Sequence, residues 1–80
     1  MKKNDDNIIA FVKNKNIKIT SLKDALNEVV IYDVSGKMIY NKKKIGNTEL
    51  QISNLQSEDQ ILFLKVTLEN GHVTTKKVSF

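Results

Sequence analysis

The eighty residues contain no cysteine, no proline, no tryptophan and no arginine. Without thiols there is neither a disulfide framework nor a thiolate metal site. A domain of this length, near the lower limit for a self-sufficient core, must therefore hold together by apolar burial. The missing proline removes cis-proline corners, an unusual restriction for a loop-rich β domain. Histidine occurs once, at His72, and a lone imidazole cannot build a zinc site without cysteines or clustered carboxylates. No run of about 18 apolar residues is present, so no membrane span is expected. Met1-Lys2-Lys3 starts like a secretion leader, but Asn4-Asp5-Asp6-Asn7 stands where an apolar stretch must follow. The chain is then either cytosolic or one end of something longer.

The basic residues number thirteen, all lysine, against nine acidic ones, for a net charge of +4. A basic balance favours anionic partners. The absent guanidinium fork argues against specific base readout, and lysines scattered along strands commonly keep sheet edges apart. Single-strand binders combine such charge with exposed aromatic platforms. The aromatic residues here are Phe11, Tyr32, Tyr40, Phe63 and Phe80, and cross-strand packing of Tyr32 and Tyr40 within the core is the simpler account of that pair. No nucleic-acid partner is expected.

Catalytic equipment is equally sparse. Asp5-Asp6 and Glu58-Asp59 are chain neighbours in loops, where side chains point apart, and neither has the alternating oxygen ligands around a glycine that a calcium loop needs. Ser35 precedes Gly36 without the Gly-x-Ser-x-Gly frame of a nucleophile elbow. No catalytic, cofactor-binding or metal residue is assigned, no cofactor is implied, and the chain does not read as an enzyme.

What is present is a succession of short strands. Ile8 to Val12 and Ile17 to Thr20 flank a turn at Asn14-Lys15-Asn16. Ser21 to Leu26 is the one helix-compatible piece, a single turn or a structured loop with Ser21 as N-cap. Val29 to Tyr32 and Met38 to Tyr40 form a hairpin around Asp33-Val34-Ser35-Gly36. Asp33 suits the first position of a type I turn, and Gly36 the left-handed position that makes a bulge. Three lysines, Lys42 to Lys44, then carry the chain into solvent.

Thr48 to Ile52 alternates with Leu50 and Ile52 inward, and Leu55 plugs the following loop. Ile61 to Leu68 is the longest apolar run, and Asn70-Gly71 is a strong signal for a two-residue turn into a last strand from His72 to Phe80. Such a turn pairs Leu68 with Val73 and makes the apolar side switch between Val73 and Val78. Either a bulge lies between them or both faces are partly covered. The whole predicts an all-β domain over residues 8–80, an immunoglobulin-like antiparallel sandwich of about seven strands, preceded by a polar tail or linker remnant at residues 1–7. An open barrel is the second choice.

Val29-x-Ile31-Tyr32-Asp33-x-x-Gly36-Lys37-x-Ile39, then Thr67-Leu68-Glu69-Asn70-Gly71 and the closing Thr75-Lys76-Lys77-Val78, occur in an order and spacing that resembles the C-terminal sorting domains of type IX secretion cargo from Bacteroidetes, in their lysine- and asparagine-rich flavobacterial form. The resemblance covers Ile8 to Phe80. It departs at Gln60-Ile61-Leu62-Phe63, where many members carry a proline or glycine and a Gly-x-Tyr. It implies a sandwich fused to an N-terminal passenger, which passes through the periplasm to the cell surface or is secreted. The implied partners are the outer-membrane translocon with its shuttle and a sortase that commonly cleaves the linker.

By that resemblance Tyr32, Asp33, Gly36, Lys37, Asn70 and Gly71 form the hairpin signature. Lys76, Lys77, Val78, Ser79 and Phe80 become the candidate translocon-recognition residues, the last three as an extended tail open to strand addition. The competing expectation is a passive immunoglobulin-like module, adhesive or carbohydrate-binding, in a multidomain secreted protein.

Overall fold

The computed structural model describes residues 7–58 and 60–80. Of the polar tail expected at residues 1–7, only Asn7 is among them, and Asp5, Asp6 and Asp59 of the two acidic pairs lie outside. The described residues form seven strands: β1 (Ile8–Lys13), β2 (Asn16–Ser21), β3 (Leu26–Tyr32), β4 (Met38–Lys42), β5 (Glu49–Ile52), β6 (Ile61–Leu68) and β7 (Val73–Ser79). Two antiparallel sheets result, one ordered β1-β2-β5 and the other β4-β3-β6-β7. In immunoglobulin terms these are the A, B and E strands facing C′, C, F and G. The fold is the expected immunoglobulin-like sandwich.

Period-two alternation builds the layer between the sheets. From one side come Ile8, Ile17, Ile19, Leu50 and Ile52, and from the other Leu26, Val29, Ile31, Leu62, Leu64, Val66 and Leu68, all buried in one cluster. Ile39, Tyr40, Ile45, Leu55, Val78 and Phe80 pack around its rim, so Leu55 does plug its loop. Val30 is buried as well, which makes β3 apolar on both faces, as its place between β4 and β6 requires.

Of the two forms expected between Ser21 and Leu26, the structure has the loop and not the helical turn: Ser21 closes β2 against Ile8, Leu26 opens β3, and the residues between bend from one sheet to the other. Ser21 Oγ does accept an N–H, from Lys23 at 3.4 Å, but six residues with an exposed Leu22 cannot nucleate a helix. In the first hairpin Asn16 belongs to β2, opposite Lys13. Only Asn14 and Lys15 turn the chain, both left-handed at φ 52° and 63°, as a type I′ turn demands.

The last hairpin also differs from its expected register. Thr67, not Leu68, stands opposite Val73, and Leu62 stands opposite Val78. Only Gly71 is left-handed there, at φ 93°, so Leu68-Glu69-Asn70-Gly71 is a type I turn closed by a glycine bulge. Its bonds run from Gly71 N–H to the Leu68 carbonyl (2.9 Å) and from Leu68 N–H to the His72 carbonyl (2.8 Å). The extra residue sits in the turn, the parity switch disappears, and Thr74, Lys76, Val78 and Phe80 share one half-buried side of β7 while Val73, Thr75, Lys77 and Ser79 are exposed.

Candidate functional site

The hairpin signature divides between the two ends of the four-stranded sheet. At one end Asp33 organises the β3–β4 turn. Its Oδ1 accepts the Ser35 hydroxyl (2.7 Å), the Ser35 N–H (3.0 Å) and the Lys37 N–H (2.9 Å). The hydrogen bond from the Ser35 hydroxyl, then that from the Lys37 N–H, hold the Asp33 carboxyl below its ordinary value. Gly36, left-handed at φ 89°, sends its N–H to the Asp33 carbonyl at 3.0 Å, and Asp33 N–H meets the Lys37 carbonyl at 3.0 Å. Thus Asp33, Gly36 and Lys37 shape the turn.

At the opposite end lie Asn70 and Gly71. Asn70 Oδ1 accepts the His72 N–H at 2.8 Å while its amide donates to Asp24 Oδ2 at 2.7 Å. Glu69 N–H joins the Ala25 carbonyl at 2.9 Å. The turn is thereby tied to the β2–β3 crossing, and this end reads as fold-holding chemistry.

The two tyrosines do not pack on each other. Tyr40 is opposite Ile31, on the core side, where burial raises its phenol above the ordinary value. Tyr32 is on the outer side, opposite both Met38 and Phe63. Phe63 in turn is opposite Lys77. The register therefore lays Met38, Tyr32, Phe63 and Lys77 in one row across the four strands, with Tyr32 and Phe63 half-buried and the two ends exposed. No sequence motif marks Phe63 or Met38 as a site residue. Their signal is parity with Tyr32, legible only once the strands are paired.

The candidate recognition residues are also divided. Lys77 faces outward, whereas Lys76 is half-buried on the core side opposite Leu64. A lysine turned inward on an edge strand discourages further pairing. Val78 packs at the core rim, Ser79 is opposite Ile61, and the Phe80 N–H bonds the Gln60 carbonyl at 2.7 Å. The three are thus held to β6 rather than forming a free tail. Among the described residues no strand pairs with the other side of β7, the edge of the sheet.

Among the described residues no three His, Asp or Glu side chains gather to hold a metal, and no helix is long and apolar enough to cross a membrane. A family model described as Domain of unknown function (DUF8694) matches residues 1–80. No curated protein matches the chain.

Proposed function

The chain belongs to that family, and we propose that it is an export address: a sorting domain of the type IX kind, carried at the C-terminal side of a passenger and read by an outer-membrane translocon. The observation that carries this reading is the row in which Tyr32 of the hairpin signature and Lys77 of the closing motif meet across Phe63. Two segments whose order suggested the resemblance share one outer face of the sheet, bounded by its edge strand β7. All five strand pairings among the described residues, three of them hairpins, lie within the domain itself, which suits a signal that must look the same behind different passengers. In this reading the translocon and its shuttle engage that surface in the periplasm. A sortase then acts near the linker, and the passenger reaches the cell surface or the medium.

The test is a reporter bearing a periplasmic leader and this domain at its C-terminus, expressed in a host with the secretion system. Removing Lys76 to Phe80 strips Val78 and Phe80 from the core rim, so loss of export there confounds recognition with folding. Lys77→Glu and Met38→Glu change exposed positions and avoid that problem. Both should lower surface reporter without altering the far-ultraviolet circular dichroism, while Lys23→Glu on the opposite end should not. Undiminished export in both row variants refutes the assignment of the surface; failure of the intact domain to export refutes the function.

A further inference from the structure

A groove on the outer side of the three-stranded sheet is used neither by the core nor by the export surface. Alternation along β1 sends Ile8, Ala10 and Val12 inward and Ile9 and Phe11 outward, leaving Phe11 58% and Ile9 48% exposed. A large apolar ring placed in water is informative where it adjoins a concavity with a few polar groups. Phe11, Lys18 and Gln51 form one row across β1, β2 and β5, and Lys13 stands opposite Asn16 in the next. With Asn14 from the turn and Ile17 of β2, these residues line a groove of about 220 Å³.

Its chemistry is specific in kind. Three carboxamides each present a donor beside an acceptor, the pairing that neighbouring hydroxyls on a sugar ring satisfy. The Phe11 ring offers a flat apolar surface to the C–H face of a pyranose. Among the described residues no carboxylate lines the groove. Lys18 is 3.9 Å from Glu49, whereas Lys13 has no carboxylate partner among the described residues, so the uncompensated charge is positive. Drug-sized ligands occupy about 300–1,000 Å³; this smaller groove suits one sugar unit, with the rest of the glycan crossing the sheet.

We propose that the groove binds an acidic oligosaccharide, one uronic-acid unit resting on Phe11 with its carboxylate toward Lys13 and its hydroxyls toward Asn14, Asn16 and Gln51. Single-stranded nucleic acid is the other polyanion to weigh, but its binders array successive aromatic platforms along the strand, and the groove has one ring. The inference does not rest on the export reading, since binding is measured on the purified chain without any secretion apparatus.

Backbone amide spectra of the intact chain are recorded while tetragalacturonate, cellotetraose or dodecathymidylate is titrated in. The expected result is saturable shifts with tetragalacturonate at Phe11, Lys13, Asn16, Lys18 and Gln51. Phe11→Ala should fold normally, its ring lying outside the core, and weaken that binding about tenfold. Lys13→Gln should erase the preference over neutral cellotetraose. The proposal is overturned by the absence of shifts at millimolar tetragalacturonate, by equal affinity for cellotetraose in the unaltered chain, by binding indifferent to Phe11→Ala, or by tighter binding of dodecathymidylate at the same residues.

Discussion

Thr67 stands opposite Val73 across the last hairpin, and that single pairing decides what each residue of β7 presents. Had Leu68 been its partner, Lys77 would share the core side with Leu64 and Val78 would lie outside. With the observed register Val78 backs Leu62, Lys77 completes the outer row with Phe63, and a basic residue faces the core only at Lys76. The register depends on one left-handed residue, Gly71.

Gly71→Ala is therefore expected to cost roughly 1–2 kcal/mol, because φ 93° strains any side chain although an added methyl group would meet nothing within 4 Å. Asn70→Ala should cost about 0.5–1 kcal/mol, through its exposed bonds to Asp24 and His72. Urea denaturation of both variants checks the order. A greater loss at Asn70 would mean that its bonds to Asp24 and His72, more than the backbone of Gly71, hold the turn.

Asp33 ties a pH dependence to the β3–β4 turn. Its folded-state value lies below the ordinary 3.8, so the stabilisation is fully present above the unfolded value and disappears as pH falls through the folded one. Asp33→Asn should thus be less stable than the native chain at neutral pH, with the two converging in strong acid. Urea midpoints measured from pH 7 downward show it. Parallel curves for the two proteins would assign the turn's stability to Gly36 and the backbone alone.

The core is small enough for single side chains to matter. An eighty-residue domain has about 4–12 kcal/mol of stability in all. Leu64→Ala, at a fully buried site, should remove about 2–5 kcal/mol, and Ile31→Val about 0.5–1.5 kcal/mol. Val34→Ala, in the exposed turn, should stay within about 0.5 kcal/mol of the native chain. Thermal or urea unfolding followed by circular dichroism separates the three.

The seven strands were legible because each is short, alternates or runs apolar, and is bounded by Asn, Gly, Ser or Lys. Asp33 and Gly36 declared their turn through spacing alone. The last hairpin was harder: Asn70-Gly71 fits both a two-residue turn and a bulged one, and the two differ by one residue of register, which inverts every side chain beyond. The apparent parity switch between Val73 and Val78 was itself the trace of the wrong choice.

Ile8-Ile9-Ala10-Phe11-Val12 is apolar throughout, so no pattern announced that Ile9 and Phe11 face water. That follows from β1 meeting the core with only one of its two faces. Likewise the row through Phe63 joins residues more than thirty positions apart, which local periodicity does not relate.

Lys15 and Phe80 supply a last, independent check on how the sandwich closes. The Lys15 ammonium lies 4.6 Å from the centroid of the Phe80 ring, joining the β1–β2 turn of one sheet to the end of β7 in the other. An exposed cation over a phenyl face contributes about 0.5–1 kcal/mol. The variant must keep the side-chain stem and the left-handed backbone of Lys15, because Lys15→Gly would relieve backbone strain at the same time and mask the loss. Lys15→Met and Phe80→Leu meet that condition. Their double-mutant cycle should give a coupling of about 0.5–1 kcal/mol. Additive single effects would show that the two sheets are held at this end by the core rim alone.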